Sequence, residues 1–237
     1  MYKHKKIIAF IPARKGSKRI KNKNTINLNG KPLFEYSVDI ARKSKYIDDI
    51  LVSTDSNEIL KRAQELGCIK NDLRPQILAN DYSRIIDSVM YELDLLKDKD
   101  YYALVLLQPT FPIRTIEMID NAIEKFFESK ESLITVVKQK ESPLFMRQIE
   151  NGRLEKLIEK SSDIRSQDMP QYYRIVGSIY INQISVLTSQ TVFNENKVPF
   201  EIDPYFAVDI DYEEDLEVAK ERIKNEDIYV SLCSKKR

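Results

Sequence analysis

The sequence has almost no histidine: His4, in the N-terminal segment, is the single one among 237 residues. Catalysis built on an imidazole is therefore not expected. Cysteine is nearly as scarce. Cys68 and Cys233 stand far apart with no CxxC spacing, which, with one histidine, excludes a structural zinc site and leaves each as an isolated thiol. Charge of neither sign dominates. There are 38 Lys and Arg against 37 Asp and Glu, a net charge of +1, so neither a nucleic acid nor an anionic membrane is an expected partner. No apolar run approaches the ~18 residues that a membrane span needs. The opening MYKHKKIIAFIPAR has too short an apolar core, closed by an arginine, for a secretion signal, so a cytoplasmic location is expected. Two glycine motifs are also missing. No glycine precedes Gly16 by five residues and no lysine follows it directly, so there is no Walker A loop, and there is no GxGxxG fingerprint.

What remains is a chain that is 42% hydrophobic and long enough for one sizeable core. Apolar runs at 5–13, 49–55, 102–108, 132–138, 176–182 and 205–211 read as strands. The central ones do not alternate with polar residues, as befits strands covered on both faces. Between them, 32–44, 56–67, 84–97, 115–129 and 213–223 carry apolar residues at helical spacing, several behind a capping Ser, Thr or Asp. Strand then helix, repeated, predicts an α/β fold, a mostly parallel sheet flanked by helices and joined by right-handed crossovers. One stretch breaks the rhythm. Residues 142–160 hold two runs around Asn151-Gly152, a hairpin signal, followed by a polar loop. The expected organisation is one domain over 1–229, with an insertion at 140–171 leaving the main sheet and a loose tail at 230–237.

Open α/β sheets bind ligands at the carboxyl ends of their strands. The loop after the first predicted strand, IPARKGSKRIKNKN, holds Arg14, Ser17, Lys18, Lys23 and Asn24 around Gly16. Its cations are suited to a polyphosphate, though a solvated basic loop has the same composition. At 208–211, VDID places Asp209 and Asp211 on one face of an extended chain, about 6.5 to 7 Å apart. Such a pair can share a magnesium ion with phosphate oxygens, or one of them, or Asp215, can cap the following helix. Cations and paired carboxylates at one sheet edge are the two halves of a magnesium triphosphate site. The loop at 73–83 adds Arg74 and Asp81, and that at 106–115 adds Gln108, Thr110 and Arg114 between prolines.

IPARKGSKRIKNKN, STDSNEI, LRPQILANDYS, LLQPTFPIRT, PQYYRIVGSIYIN and VDIDYEEDL occur in an order and form that resembles the acylneuraminate cytidylyltransferases, the CMP-sialic acid synthetases. The resemblance runs from about Lys6 to Ile223. It implies a Rossmann-like fold of the nucleotide-diphospho-sugar transferase type, a homodimer joined through a hairpin-bearing insertion, and transfer of CMP from CTP to the anomeric hydroxyl of a nine-carbon 2-keto sugar acid. The implied cofactor is magnesium, with manganese as the alternative. Carried over by position, Arg14, Lys23 and Asn24 would contact the CTP phosphates and ribose, with Ser17 and Lys18 in the same loop. Arg74, Ala79 and Ser83 would frame the nucleotide, Gln108 and Thr110 would face the sugar, and Tyr180 would line its pocket. Asp209 and Asp211 match the metal pair, and Arg14, Lys23 and Asp211 would carry the catalytic charge.

Departures from the family pattern bear on the acceptor. Lys15 and Lys21 stand where glycine and proline are common, Ser166 replaces an arginine and Val176 an asparagine. Lost donors near the sugar pocket point to a relative of sialic acid such as legionaminic or pseudaminic acid, with Arg165 or Arg174 as compensating cations. A cytidylyltransferase for the eight-carbon acid Kdo and a non-catalytic nucleotide-binding relative are the alternative readings.

Overall fold

The computed structural model describes residues 1–159, 163, 165 and 169–234, with backbone only at 227, 228 and 230–234. The chain runs β1 (Lys6–Pro12), a small hairpin of β2 (Asn27–Leu28) and β3 (Lys31–Pro32), α1 (Leu33–Lys43), β4 (Asp49–Ser53) and α2 (Asn57–Glu65). There follow α3 (Ile85–Leu95), β5 (Tyr101–Leu106), α4 (Ile116–Ser129), β6 (Leu133–Lys138), β7 (Arg147–Glu150) and β8 (Arg153–Lys156). Last come β9 (Tyr173–Gln183), β10 (Val198–Glu201) and α5 (Glu213–Ser234). Helix starts follow their capping residues. Ser56 Oγ accepts from Ile59 N before α2, and Thr115 Oγ1 accepts from Met118 N at 3.1 Å before α4.

Six strands form the central sheet in the order β10-β6-β9-β5-β1-β4. Side chains of β1 alternate between two cores. Ile7, Ala9 and Ile11 pack with Phe34, Val38, Ile59 and Ile123 from α1, α2 and α4, while Ile8 and Phe10 pack with Ile86 and Val89 of α3 on the other face. This two-sided burial explains why the run was apolar without alternation. The sheet is not parallel throughout: β9 runs antiparallel to both β5 and β6. Among the described residues, no helix is long and apolar enough to cross a membrane.

Two expectations need correction. Residues 205–211 form no strand. Pro204 opens a short 3-10 turn capped by Asp203, whose Oδ1 accepts from Tyr205 N at 2.8 Å, and β10 takes the place beside β6. The final helix also extends past residue 223 to Ser234, so residues 230–234, expected to be loose, continue α5; residues 235–237 lie outside the described ones. The hairpin is present as β7 and β8, a separate two-stranded sheet, with Asn151 at φ 51° and Gly152 at φ 77° in its turn. Both backbones lie in the left-handed region, which asparagine and glycine adopt most readily.

Because β1, β4 and β5 are parallel, their carboxyl ends share one edge, and antiparallel β9 begins there. The loops at 13–24, 54–56 and 107–114 thus lie at the same sheet edge as the start of β9.

Candidate active site

The first loop is held from several sides. Ala13 N donates to the Ser53 carbonyl at 2.9 Å, Lys15 N to Asp55 Oδ1 at 2.6 Å, and Asn24 Nδ2 reaches back to the Arg14 carbonyl at 2.8 Å. Four of its six cations are divided between two acids. Asp81 pairs with Arg14 and Lys18, each at 3.0 Å. Asp211 pairs with Arg19 at 2.5 Å and with Lys23 at 2.9 Å. Lys23 is 8% exposed and also donates to the Ile210 carbonyl at 2.7 Å, so its ammonium is fixed rather than solvated.

A cavity of about 310 Å³ opens between this loop and the segment 74–88. Arg14, Ser17, Lys23 and Asn24 line one side, Arg74 and Ser83 another, and Gln108 and Thr110 the base. Lys18 and Ala79 do not line it. Lys18 is spent on Asp81, and Ala79 sits between the lining residues Leu78 and Asn80. A second cavity of about 430 Å³ shares Gln108 with the first and is lined by Arg174, Tyr180 and Asp209. Gln108 therefore stands between the two. A Cβ at Gly177 would lie 2.9 Å from Gln108 Oε1 and 3.0 Å from Phe111, so the glycine leaves Gln108 room in this position.

The two carboxylates of VDID are placed without a strand: Ile210 N donates to the Thr110 carbonyl at 2.8 Å, which ties the segment to the loop after β5. Asp211 N and Tyr212 N both donate to Asp215 Oδ2, at 3.0 and 2.8 Å, so Asp215 is the residue that serves the helix start. Burial pushes the Asp209 carboxyl up, with the neighbouring Asp211 charge adding to it and a hydrogen bond from Thr110 opposing. Burial acts the same way on Asp211, but Lys23 and Arg19 outweigh it and hold that carboxyl below its usual range. Tyr180 donates to Asn194 Oδ1 at 2.8 Å, and burial together with Asp209 pushes its phenol up to about 12.

Some residues fall elsewhere than the motifs suggested. Arg114 lines neither cavity. It is buried and donates to the Ser178 and Gln108 carbonyls and to the hydroxyls of Ser37 and Ser178, locking the 108–114 loop to β9. Val176 is fully buried in the core under α5, so its exchange for asparagine alters packing rather than pocket lining; Ile175 and Gly177 on either side of it reach the second cavity instead. Ser166 lies outside the described residues. The wall from Thr191 to Asn194 was missed, because an irregular segment without periodicity gives no sequence signal; its tie to Tyr180 exists only in three dimensions.

A family model described as Cytidylyltransferase matches residues 8–230. The chain belongs to the cytidylyltransferase family. It is similar, at 30% identity over 91% of its length and 95% of the relative's, to a pseudaminic acid cytidylyltransferase of Campylobacter jejuni. It is 34% identical to a CMP-N,N'-diacetyllegionaminic acid synthase of Legionella pneumophila, over 82% of this chain and 85% of that one. An N-acylneuraminate cytidylyltransferase of Escherichia coli is 29% identical over 90% of this chain and 51% of its own. The structure of a CMP:2-keto-3-deoxy-manno-octonic acid synthetase complexed with CTP superposes with a TM-score of 0.69 at 18% identity, covering 93% of this chain and 99% of that one, a likeness of fold. The nucleotidyltransferase architecture expected from the sequence is thus present.

Proposed function

We propose that this cytidylyltransferase transfers CMP from CTP to the anomeric hydroxyl of a nine-carbon 2-keto sugar acid, with release of pyrophosphate. The observation that carries the reading is the pair of adjoining cavities at one sheet edge, one bounded by the cations of the first loop and the other by Tyr180, Arg174 and Asp209, with Gln108 between them. A triphosphate in the first would meet Arg14 and Lys23, and an acceptor acid in the second would meet Arg174. In-line attack needs the acceptor hydroxyl and the α-phosphorus to meet where the cavities join. Lys23, immobilised by two hydrogen bonds, supplies a preorganised charge for the leaving phosphates.

The donor set suits a hard cation: Asp209 and Asp211 are both carboxylates, and magnesium is commonly held by one or two of these plus substrate oxygens. Among the described residues, no group of three or more His, Cys, Asp or Glu could hold a metal, so an ion at this pair would need substrate oxygens to complete its shell. Bound there, magnesium or manganese would neutralise developing charge on the phosphoryl oxygens. Asp209, half-buried and held by Thr110, would orient toward the acceptor side, while Asp211 would release Arg19 to accept the ion.

The acceptor reading favours acids of the pseudaminic or legionaminic kind, because this chain spans 95% and 85% of the relatives so named but 51% of the N-acylneuraminate relative. A homodimer through the hairpin is supported by Ile149 and Leu154, which are 75% and 71% exposed. A need for CTP supports a cytoplasmic location. The test is pyrophosphate release from CTP and magnesium with a panel of N-acetylneuraminate, legionaminate, pseudaminate and Kdo, each CMP-sugar confirmed by mass. Turnover with one nine-carbon acid is expected; CTP binding without turnover on any of them would favour a non-catalytic relative.

A further inference from the structure

Arg74 is 6% exposed in the wall of the first cavity, yet among the described residues no carboxylate touches it. Its Nε donates to Ser53 Oγ at 3.0 Å, and Nη2 donates to the Ser53 carbonyl. That carbonyl also accepts from Ala13 N, so one peptide at the end of β4 anchors both Arg74 and the start of the basic loop. Nη1 has no acceptor among the described residues. Since no buried side-chain nitrogen lacks a partner there, Nη1 is open to the cavity.

Behind Ser53 stands Glu92 of α3, 1% exposed. It accepts from Ser53 Oγ at 2.6 Å and from Asn71 Nδ2 at 3.4 Å, and Asn71 also reaches the Val52 carbonyl at 3.2 Å. A carboxylate buried among neutral partners is costly, and burial pushes this one up. A helix position that needed only packing would be served better by an apolar side chain. The geometry gives the acid a use. A serine hydroxyl has a single proton, and an ionised Glu92 takes it. Ser53 Oγ is then left with lone pairs alone, and these face Arg74 Nε.

We infer that Glu92 is a positioning residue for nucleotide binding, acting through the Ser53 hydroxyl to aim Arg74 into the cavity. The inference rests on the cytidylyltransferase reading above, in which that cavity takes CTP. Glu92→Gln keeps the shape of the side chain, removes its charge, and allows Ser53 to turn its proton toward Arg74. The KM for CTP is expected to rise about tenfold, in line with losing the bias of one charge-assisted hydrogen bond. The acceptor KM should stay within about twofold, and Tm should hold or rise because a buried charge has been removed. In an Arg74→Ala background, Glu92→Gln should add nothing to the CTP KM. An unchanged CTP KM would overturn the relay. So would a joint rise of both KM values with a lowered Tm, or an effect as large without Arg74. Calorimetric titration of the wild type with CTP separates the two levels: no binding there overturns the cytidylyltransferase reading and this inference with it, whereas binding with an indifferent Glu92→Gln overturns the relay alone.

Discussion

Asp209 and Asp211 are two residues apart but live in opposite electrical surroundings. Asp209 is raised by burial, while Asp211 is held down by Lys23 and Arg19 in spite of it. Under the proposed mechanism, Asp211→Asn should lower kcat by about 100-fold, the scale of losing one preorganised charge at a phosphoryl centre. The same variant has a stability signature. A depressed carboxyl contributes stability above the unfolded pKa near 3.9 and loses it as pH falls through the folded value. The Tm gap between wild type and Asp211→Asn, open at pH 7, should close as the pH drops below about 4 in a series of thermal melts. Lys23→Met removes a buried cation whose partners are the Ile210 carbonyl and Asp211. Its CTP KM should rise more than that of Lys18→Met, because Lys18 is 72% exposed and pairs only at the rim.

At the scale of elements, β9 matters most, since its antiparallel course brings Arg174, Gly177 and Tyr180 to the edge where β1, β4 and β5 end. Gly177→Ala would push Gln108 from its place between the cavities. We expect a fall of about tenfold in kcat/KM for the acceptor with a Tm change of only a few degrees, because Gln108 is free to swing while the reacting groups are not. A larger effect on CTP binding than on the acceptor would contradict this. The direction of β9 was not legible beforehand. A short apolar run such as VGSIYIN looks the same in parallel and antiparallel sheets, and the chain enters it from an insertion rather than a crossover helix. The other central strands and the starts of α2 and α4 were legible, because two-sided burial and capping serines and threonines write themselves into local sequence. VDID misled differently. Its alternation suited a strand, but Pro204 and the single tie from Ile210 N to Thr110 leave it as a braced loop in nearly the expected place. The Glu92, Ser53 and Arg74 chain was illegible altogether, joining residues 39 and 21 positions apart.

For the whole molecule, near-neutral net charge coexists with a concentrated basic loop. The hairpin offers the clearest test at this scale. If the proposed dimer forms through the hairpin, Ile149→Asp with Leu154→Lys should convert it to monomers in sedimentation velocity without unfolding the chain, since both side chains are exposed and β7 and β8 form their own sheet. A mass unchanged by the double variant would remove the hairpin from the interface. The split of loop cations between Asp81 and Asp211 carries a further consequence. The loop is not a bare cluster of charge; four of its cations come with tethered counter-ions. Occupying it is an exchange, in which an incoming anion must evict a carboxylate that cannot diffuse away. Under the proposed function, phosphate or sulfate would bring no base and no ribose to offset that eviction, so weak competition by these anions against CTP is expected.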